Sequence, residues 1–338
     1  MPVATSVRMP AMLAAAALAL AACATDSDPD DSADPAGQDV DAAVEETTEP
    51  AEETPTEVTI TTAQGEATVP FRPQRVIVVE HGILDTIDYL GAGESVVGIP
   101  HHAVPSYLAD YTTSTENTGT LFEPDYEAIN AAEPDLIIVG GRSAATLPAM
   151  EAIAPTIDLS FGWGSEAFMT TFETNTTALG QIFGAEDEAA AALAEVTAGA
   201  QAVAADAADE GPGLVLMTSA GEVSAYGPSE EGRFDFVYNL LGVEPAIDQV
   251  AIDDHGDAIS FEFIAEVDPS LLIVLDRDAA IGEEGEAAQA VLDNELVNST
   301  TAVANDNVLY VDTEKWYLSF GGLTSVNTIL DEVGSLVS

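Results

Sequence analysis

Basic side chains are nearly missing from this sequence: seven lysines and arginines stand against sixty aspartates and glutamates, for a formal charge of -53. Nucleic acid is gripped by clustered Lys and Arg, so it is excluded as a partner, and charge attraction to anionic lipid goes with it. Cysteine is scarcer still, with Cys23 the only one. A single thiol leaves no internal disulfide to staple the fold. No apolar run reaches the ~20 residues that a membrane-spanning helix needs. Enzyme signatures are absent too, with no HExxH, no GxSxG and no P-loop in the chain. A metal-dependent hydrolase using His81, His101 or His255 with nearby acids therefore has no motif behind it.

What is present is apolar: 47% of residues are hydrophobic, enough for sizeable cores. The acid excess suits an extracellular protein from a salty habitat. At ~1 M salt the Debye length is only about 3 Å, and such a surface hardly repels itself. A thermal melt that gains nothing between low and molar salt would contradict that habitat.

The first residues have the pattern of a targeting segment. Arg8 supplies a positive n-region, and residues 12–20 form a short apolar stretch. It ends in Leu20-Ala21-Ala22-Cys23, which resembles a bacterial lipobox, small residues before a cysteine that is lipidated. We expect a lipoprotein signal peptide over 1–22 and a lipid anchor on Cys23. That places the protein on the extracellular face of the cell membrane, or in a periplasm. Residues 24–57 hold thirteen acids, no base and almost no large apolar side chain. Such a segment buries too little to offset its ordering entropy, so 23–57 is expected to be a disordered tether.

Beyond it, strand and helix signals alternate. Strands are expected over 76–79, 96–99, 136–139 and 156–159, with helical patterns over 83–90 and 124–132 between them. This alternation favours βα units around a parallel sheet. Residues 165–183 and 185–209 then read as helices, the second Ala- and Glu-rich and roughly 35 Å long at 1.5 Å per residue. More strands follow over 214–218, 223–226, 271–275 and 308–311. The expected architecture is α/β: two Rossmann-like lobes, 58–184 and 210–338, joined by a long rigid helix over 185–209. The ligand cleft lies between the lobes.

One stretch repeats. Tyr126-Glu-Ala-Ile-Asn-Ala-Ala-Glu-Pro-Asp-Leu-Ile-Ile-Val-Gly-Gly-Arg142 aligns without gaps with Phe261-Glu-Phe-Ile-Ala-Glu-Val-Asp-Pro-Ser-Leu-Leu-Ile-Val-Leu-Asp-Arg277. Each half carries a helix, then a strand, then an arginine. Ligands of open α/β sheets bind beyond the carboxyl ends of the strands, so both arginines are expected in the cleft. Arg233, in a Gly/Pro loop after Tyr226, would be a third. Any one of them alone reads equally well as an ion pair with a neighbouring carboxylate. Symmetry, scarcity and equivalent strand-end placement favour ligand binding, for which guanidinium offers planar, permanently charged donors.

The residues also carry a family resemblance. GILDTIDYLG, PSYL, EPDYEAI, PDLIIVGGR, LGQIFG, SAYGP, DHGDAISFEFIAE, VLDRDAAIG, VLDNELV and WYLSFGGLTS follow one another through the chain. From about Val58 onward it resembles the ferric-siderophore-binding lipoproteins of bacterial ABC importers, in the subgroup for catecholate and petrobactin-like siderophores. These belong to the helical-backbone metal-receptor superfamily. The resemblance implies a monomeric binding protein and not an enzyme, with little closure on binding. It has no resident cofactor, and Fe(III) arrives as the siderophore complex. Arg142, Arg233 and Arg277 match the arginines that grip catecholate oxygens. His255 and Tyr317 match a pair that completes the iron shell when the siderophore offers only four donors, Tyr310 being the other candidate for the tyrosine. Glu127 and Glu262 match glutamates that dock onto the permease subunits. Trp316 and Tyr226 are placed against the ligand, although core packing is the commoner reason for an aromatic.

His101 and His102 make a poor joint metal site, because neighbours in extended chain point opposite ways. His81, at the end of the first strand, is either a cleft residue or a satisfied loop histidine. Phe320 stands where the family usually has glycine, a departure that narrows the cleft floor or alters ligand preference. Haem- and cobalamin-binding proteins of the same fold are the nearer alternatives, and three matched arginines favour a polyanionic catecholate complex over either.

Overall fold

The computed structural model describes residues 55–62, 64–162, 164–230, 232–248 and 257–338, all within the unit Glu53–Ser338. The signal peptide, Cys23, the tether up to Thr54 and His255 lie outside the described residues. Glu57, placed at the end of the tether by composition, is instead the first residue of a strand. Strand β1 (Glu57–Thr62) pairs antiparallel with β2 (Gly65–Pro70), Glu57 opposite Pro70. Gly65 supplies the positive φ of 116° that the tight connection requires.

Strands β3 (Val76–Val78), β4 (Val96–Ile99), β5 (Glu116–Asn117), β6 (Leu136–Val139) and β7 (Thr156–Asp158) form a fully parallel sheet in the order β5-β4-β3-β6-β7. All four side chains of β6 are buried, as an unbroken apolar run in a covered parallel strand must be. Helix α1 (His81–Tyr89) follows β3, and Glu80 caps it by accepting the His81 N–H. Helix α2 (Tyr126–Ala131) precedes β6 and starts on Asp125, which accepts the N–H groups of Glu127 and Ala128 at 3.0 Å each.

Helix α3 (Ser165–Phe183) begins against the second half of the molecule. There the Ser165 N–H and hydroxyl donate to the buried Asp235 carboxylate at 2.9 and 2.6 Å. It ends at Gly184, left-handed at φ 67°, and the chain turns back into α4 (Glu186–Ala207). The long connecting helix is thus present but not alone, since α3 packs along it.

The second sheet is mixed. Strands β8 (Pro212–Ser219), β9 (Glu222–Tyr226), β10 (Glu244–Pro245), β11 (Asp257–Ile259), β12 (Leu271–Asp276) and β13 (Val308–Tyr310) run in the order β11-β9-β8-β12-β13, with β10 added beside β8. The β8, β12 and β13 core is parallel, while β9 and β11 are antiparallel. Helix α5 (Phe261–Val267), capped by Ser260, leads into β12 as α2 leads into β6. Helix α6 (Leu323–Leu336) closes the fold against α1 and α4. One apolar core runs through both halves, from Ile60 and Leu84 through Phe172 and Val196 to Ile273, Trp316 and Val333. The lobes share their interior.

Candidate functional site

In the first sheet, the chain leaves β3 toward β4 on one side and enters β6 on the other. A crevice opens beyond the carboxyl ends of two such strands. Glu80 and Arg142 stand there. Gly140 and Gly141 follow β6, and Gly141 sits at φ 48°, where a Cβ would lie 3.1 Å from Glu80 Oε2. Arg142 Nη1 lies 3.3 Å from Glu80 Oε1, and its Nη2 donates to the Tyr317 carbonyl at 2.8 Å. Arg142 thereby reaches from the first sheet to a segment beyond the second.

The partner arginine starts from the equivalent place. Strand β12 ends at Asp276, whose carboxylate caps the short helix Arg277–Ile281. Arg277 Nε donates to the Tyr317 hydroxyl at 3.2 Å, and its Nη1 to Ser219 Oγ, at the end of β8, also at 3.2 Å. Arg233 completes the group. The guanidinium carbons of Arg233, Arg142 and Arg277 lie 4.9, 5.6 and 6.0 Å from the centre of the Tyr317 ring. Three cations thus surround one phenol, a contact that the negative face of an aromatic ring favours.

The other described bases are used elsewhere. Arg72 donates to the Gly184 carbonyl and Arg75 to those of Ala132 and Glu133, all at the carbonyl ends of helices. Lys315 bonds Asp312 at 2.5 Å. The five described arginines therefore divide between helix ends and one cleft.

Tyr317 is aimed by its backbone. Glu314–Leu318 forms a single wide π-turn, with the Ser319 N–H donating to the Glu314 carbonyl at 3.1 Å. Such turns recur at functional sites because they redirect one side chain out of helical register. Here Tyr317 faces the arginines and Trp316 goes inward. Trp316 is fully buried between Phe234 and Phe236, and its indole N–H donates to Glu332 Oε2 at 2.7 Å. Tyr226 is buried as well, edge-on to Phe234 at 4.7 Å. Both were expected against a ligand, and both are core beneath the cleft. Phe320 stacks into the same aromatic cluster, 4.9 Å from Phe168, and its ring does not line the cavity. Tyr310 lies on the edge strand β13 and is not among the residues that line the cavity.

The cavity at this point has a volume of about 400 Å³ and draws its walls from both halves. Arg142, Arg277 and Tyr317 supply its cationic lining, and His102, Leu121 and Phe122 line it with them. His101 instead turns to Thr115, so the two histidines do diverge. His81 is buried inside α1, and burial holds its imidazole down at about 4, hence neutral. Among the described residues no group of three or more His, Cys, Asp or Glu is placed to hold a metal.

Glu80 was not anticipated. Burial raises its carboxyl pKa while the Arg142 charge pulls it back, and its Oε2 has no hydrogen-bond partner. The only sequence signal was an acid at the tip of the first apolar strand. Glu127 and Glu262 are both exposed, each the second residue of its capped helix, α2 or α5.

Two α/β halves with a cation-lined cavity between their strand ends define a two-lobed solute-binding protein, a class that binds and does not catalyse. The chain belongs to the periplasmic binding protein family, whose profile matches residues 76–314. It is 36% identical to the petrobactin-binding protein YclQ of Bacillus subtilis over 267 residues, 78% of this chain and 83% of that one. The crystal structure of YclQ superposes with a TM-score of 0.77, covering 83% and 99% of the two chains. The ferric-anguibactin-binding protein FatB of Vibrio anguillarum is 30% identical over 80% of this chain and 84% of its own. The catecholate-siderophore binding protein VctP of Vibrio cholerae gives a TM-score of 0.75 at 30% identity, over 82% and 99% of the two chains.

Proposed function

We propose that this protein captures a ferric siderophore of catecholate type outside the cell and delivers it to an ABC permease. The observation that carries the reading is the convergence of Arg142, Arg233 and Arg277 on one ring in an otherwise acidic chain. A ferric tris-catecholate carries about three negative charges, and charge-assisted hydrogen bonds from Arg are the strong kind. The names of YclQ, FatB and VctP point the same way. Iron is cargo in this reading. When the siderophore supplies only four donors, the Tyr317 phenolate and His255 fill the remaining positions, both sensible ligands for iron. Titrating the purified protein with a ferric catecholate, haem and cobalamin, followed by fluorescence quenching, tests the reading. It expects submicromolar affinity for the first alone, and preference for haem or cobalamin overturns it.

Delivery assigns the lipid anchor to Cys23 and permease docking to Glu127 and Glu262, with the protein acting as a monomer. Two exposed acids at equivalent helix starts support the docking role. Reversing both charges, Glu127→Arg with Glu262→Arg, should abolish siderophore uptake by cells and leave affinity in solution within twofold. A loss of affinity would contradict docking.

A further inference from the structure

The cavity has an apolar lining that the arginines do not explain. Phe122 is 70% exposed, more than any other large hydrophobic among the described residues. It lines the same cavity as Arg142 and Arg277, and is not at a chain end. Its loop is tightly built. Gly119 pairs with Pro124 across the turn, and Thr120 Oγ1 accepts the N–H groups of Phe122 and Glu123 at 3.3 and 2.9 Å. The Thr120 N–H donates to the Glu123 carbonyl at 3.1 Å. Gly119 is at φ 94°, with the Glu123 carbonyl so close that no side chain fits. Leu121 anchors the turn from within, at 6% exposure. A single exposed ring would need no explanation, but this one is held by a fixed turn in the lining of a cavity. Ile281 and Leu318 line the same cavity and extend the apolar surface.

Resting on the proposed function, we infer that Phe122 is a specificity residue: it packs against the face of an aryl ring whose anionic oxygens lie on the arginines. The two kinds of lining fit one chemistry. An aryl ring with oxygens along one edge presents charge to Arg142 and Arg277 and an apolar face to Phe122 and Ile281. Chelates that bind iron through carboxylates on an aliphatic frame satisfy the arginines and leave Phe122 uncovered. Ring-on-ring contacts prefer offset or edge-to-face geometry and add to area burial. The apolar lining therefore separates aryl from non-aryl iron complexes that carry similar charge.

The test compares two defined probes, the ferric complex of 2,3-dihydroxybenzoate and ferric citrate, on the intact protein. Phe122→Ala should weaken binding of the aryl complex about tenfold, and Phe122→Tyr should restore it. Any binding of ferric citrate should be the same in all three proteins. Equal affinity of wild type and Phe122→Ala for the aryl complex overturns the inference, including the case in which cellular uptake alone falls and Phe122 proves a permease contact. Parallel loss for both probes also overturns it, because the residue then only supports the turn. If Arg277→Ala loses the aryl complex while Phe122→Ala keeps it, the inference fails and the siderophore reading stands. A wild type that binds neither probe sinks both.

Discussion

Arg277→Ala loses ferric catecholate binding by 10- to 100-fold with a melting temperature close to wild type, and combining it with Arg142→Ala removes measurable binding. The estimate follows from hydrogen bonds to charged groups, each worth about 1.5–3 kcal/mol. The two losses will not simply add, since both side chains share Tyr317. Arg277 is partly exposed, and its neighbour Asp278 keeps the Ser219 hydroxyl and Ala220 N–H after truncation. Arg142 differs. Truncating it strands the buried Glu80 carboxylate without its cation. Arg142→Ala alone should therefore melt earlier as well as bind worse. Adding Glu80→Gln should recover the melting temperature and not the affinity. That pairing separates a ligand contact from a structural ion pair. Calorimetric titration of the four proteins decides it, and unchanged affinity in Arg277→Ala would remove that arginine from the site.

Asp85→Ala is the largest expected loss of stability. Asp85 is fully buried in α1 and accepts hydrogen bonds from the Tyr107 hydroxyl at 2.6 Å, the Ser325 hydroxyl at 2.7 Å and the N–H groups of Thr324 and Ser325 at 2.7 and 3.0 Å. Thr324 and Ser325 lie in the first turn of α6, so a first-half carboxylate caps the closing helix. Burial pushes its carboxyl pKa up while these donors pull it down. Gly322 leaves the room required, since a Cβ there would strike the carboxylate. Removing the acceptor orphans several buried donors at once, a loss of about 3–5 kcal/mol by analogy with broken buried pairs. At roughly 2–4 °C per kcal/mol for a domain of a few hundred residues, the melt should fall by about 10 °C. Asp85→Asn, which keeps one acceptor oxygen, should lose less. A fall under 2 °C in Asp85→Ala would show that α6 is held by packing alone.

Strands β4 and β6 and helix α3 were legible to the residue, because apolar runs and a long uninterrupted helical pattern mark them without tertiary help. The β1–β2 hairpin was not, since its strands are Thr-rich with few large apolar side chains and the first apolar run begins only at Val76. The cleft was legible for an unusual reason: with so few bases, a repeated arginine stood out. Its refinements were hidden. Trp316 and Tyr317 are adjacent, and only the wide turn at 314–318 decides which faces the arginines. Glu80 and Asp85 act on partners 62 and up to 240 residues away, and no local pattern encodes such pairings.

The three guanidiniums around Tyr317 sit inside a chain of charge -53. For an approaching trianion the protein is repulsive at long range and attractive only at the last step. Screening shortens the first effect to about 8 Å at physiological salt and about 3 Å near 1 M, and weakens a partly buried contact far less. Capture is then slowest in dilute buffer and quickens as salt is added, the reverse of ordinary electrostatic steering. On the proposed function the medium becomes a working part of the trap: dissolved ions open the approach, and the arginines keep what arrives.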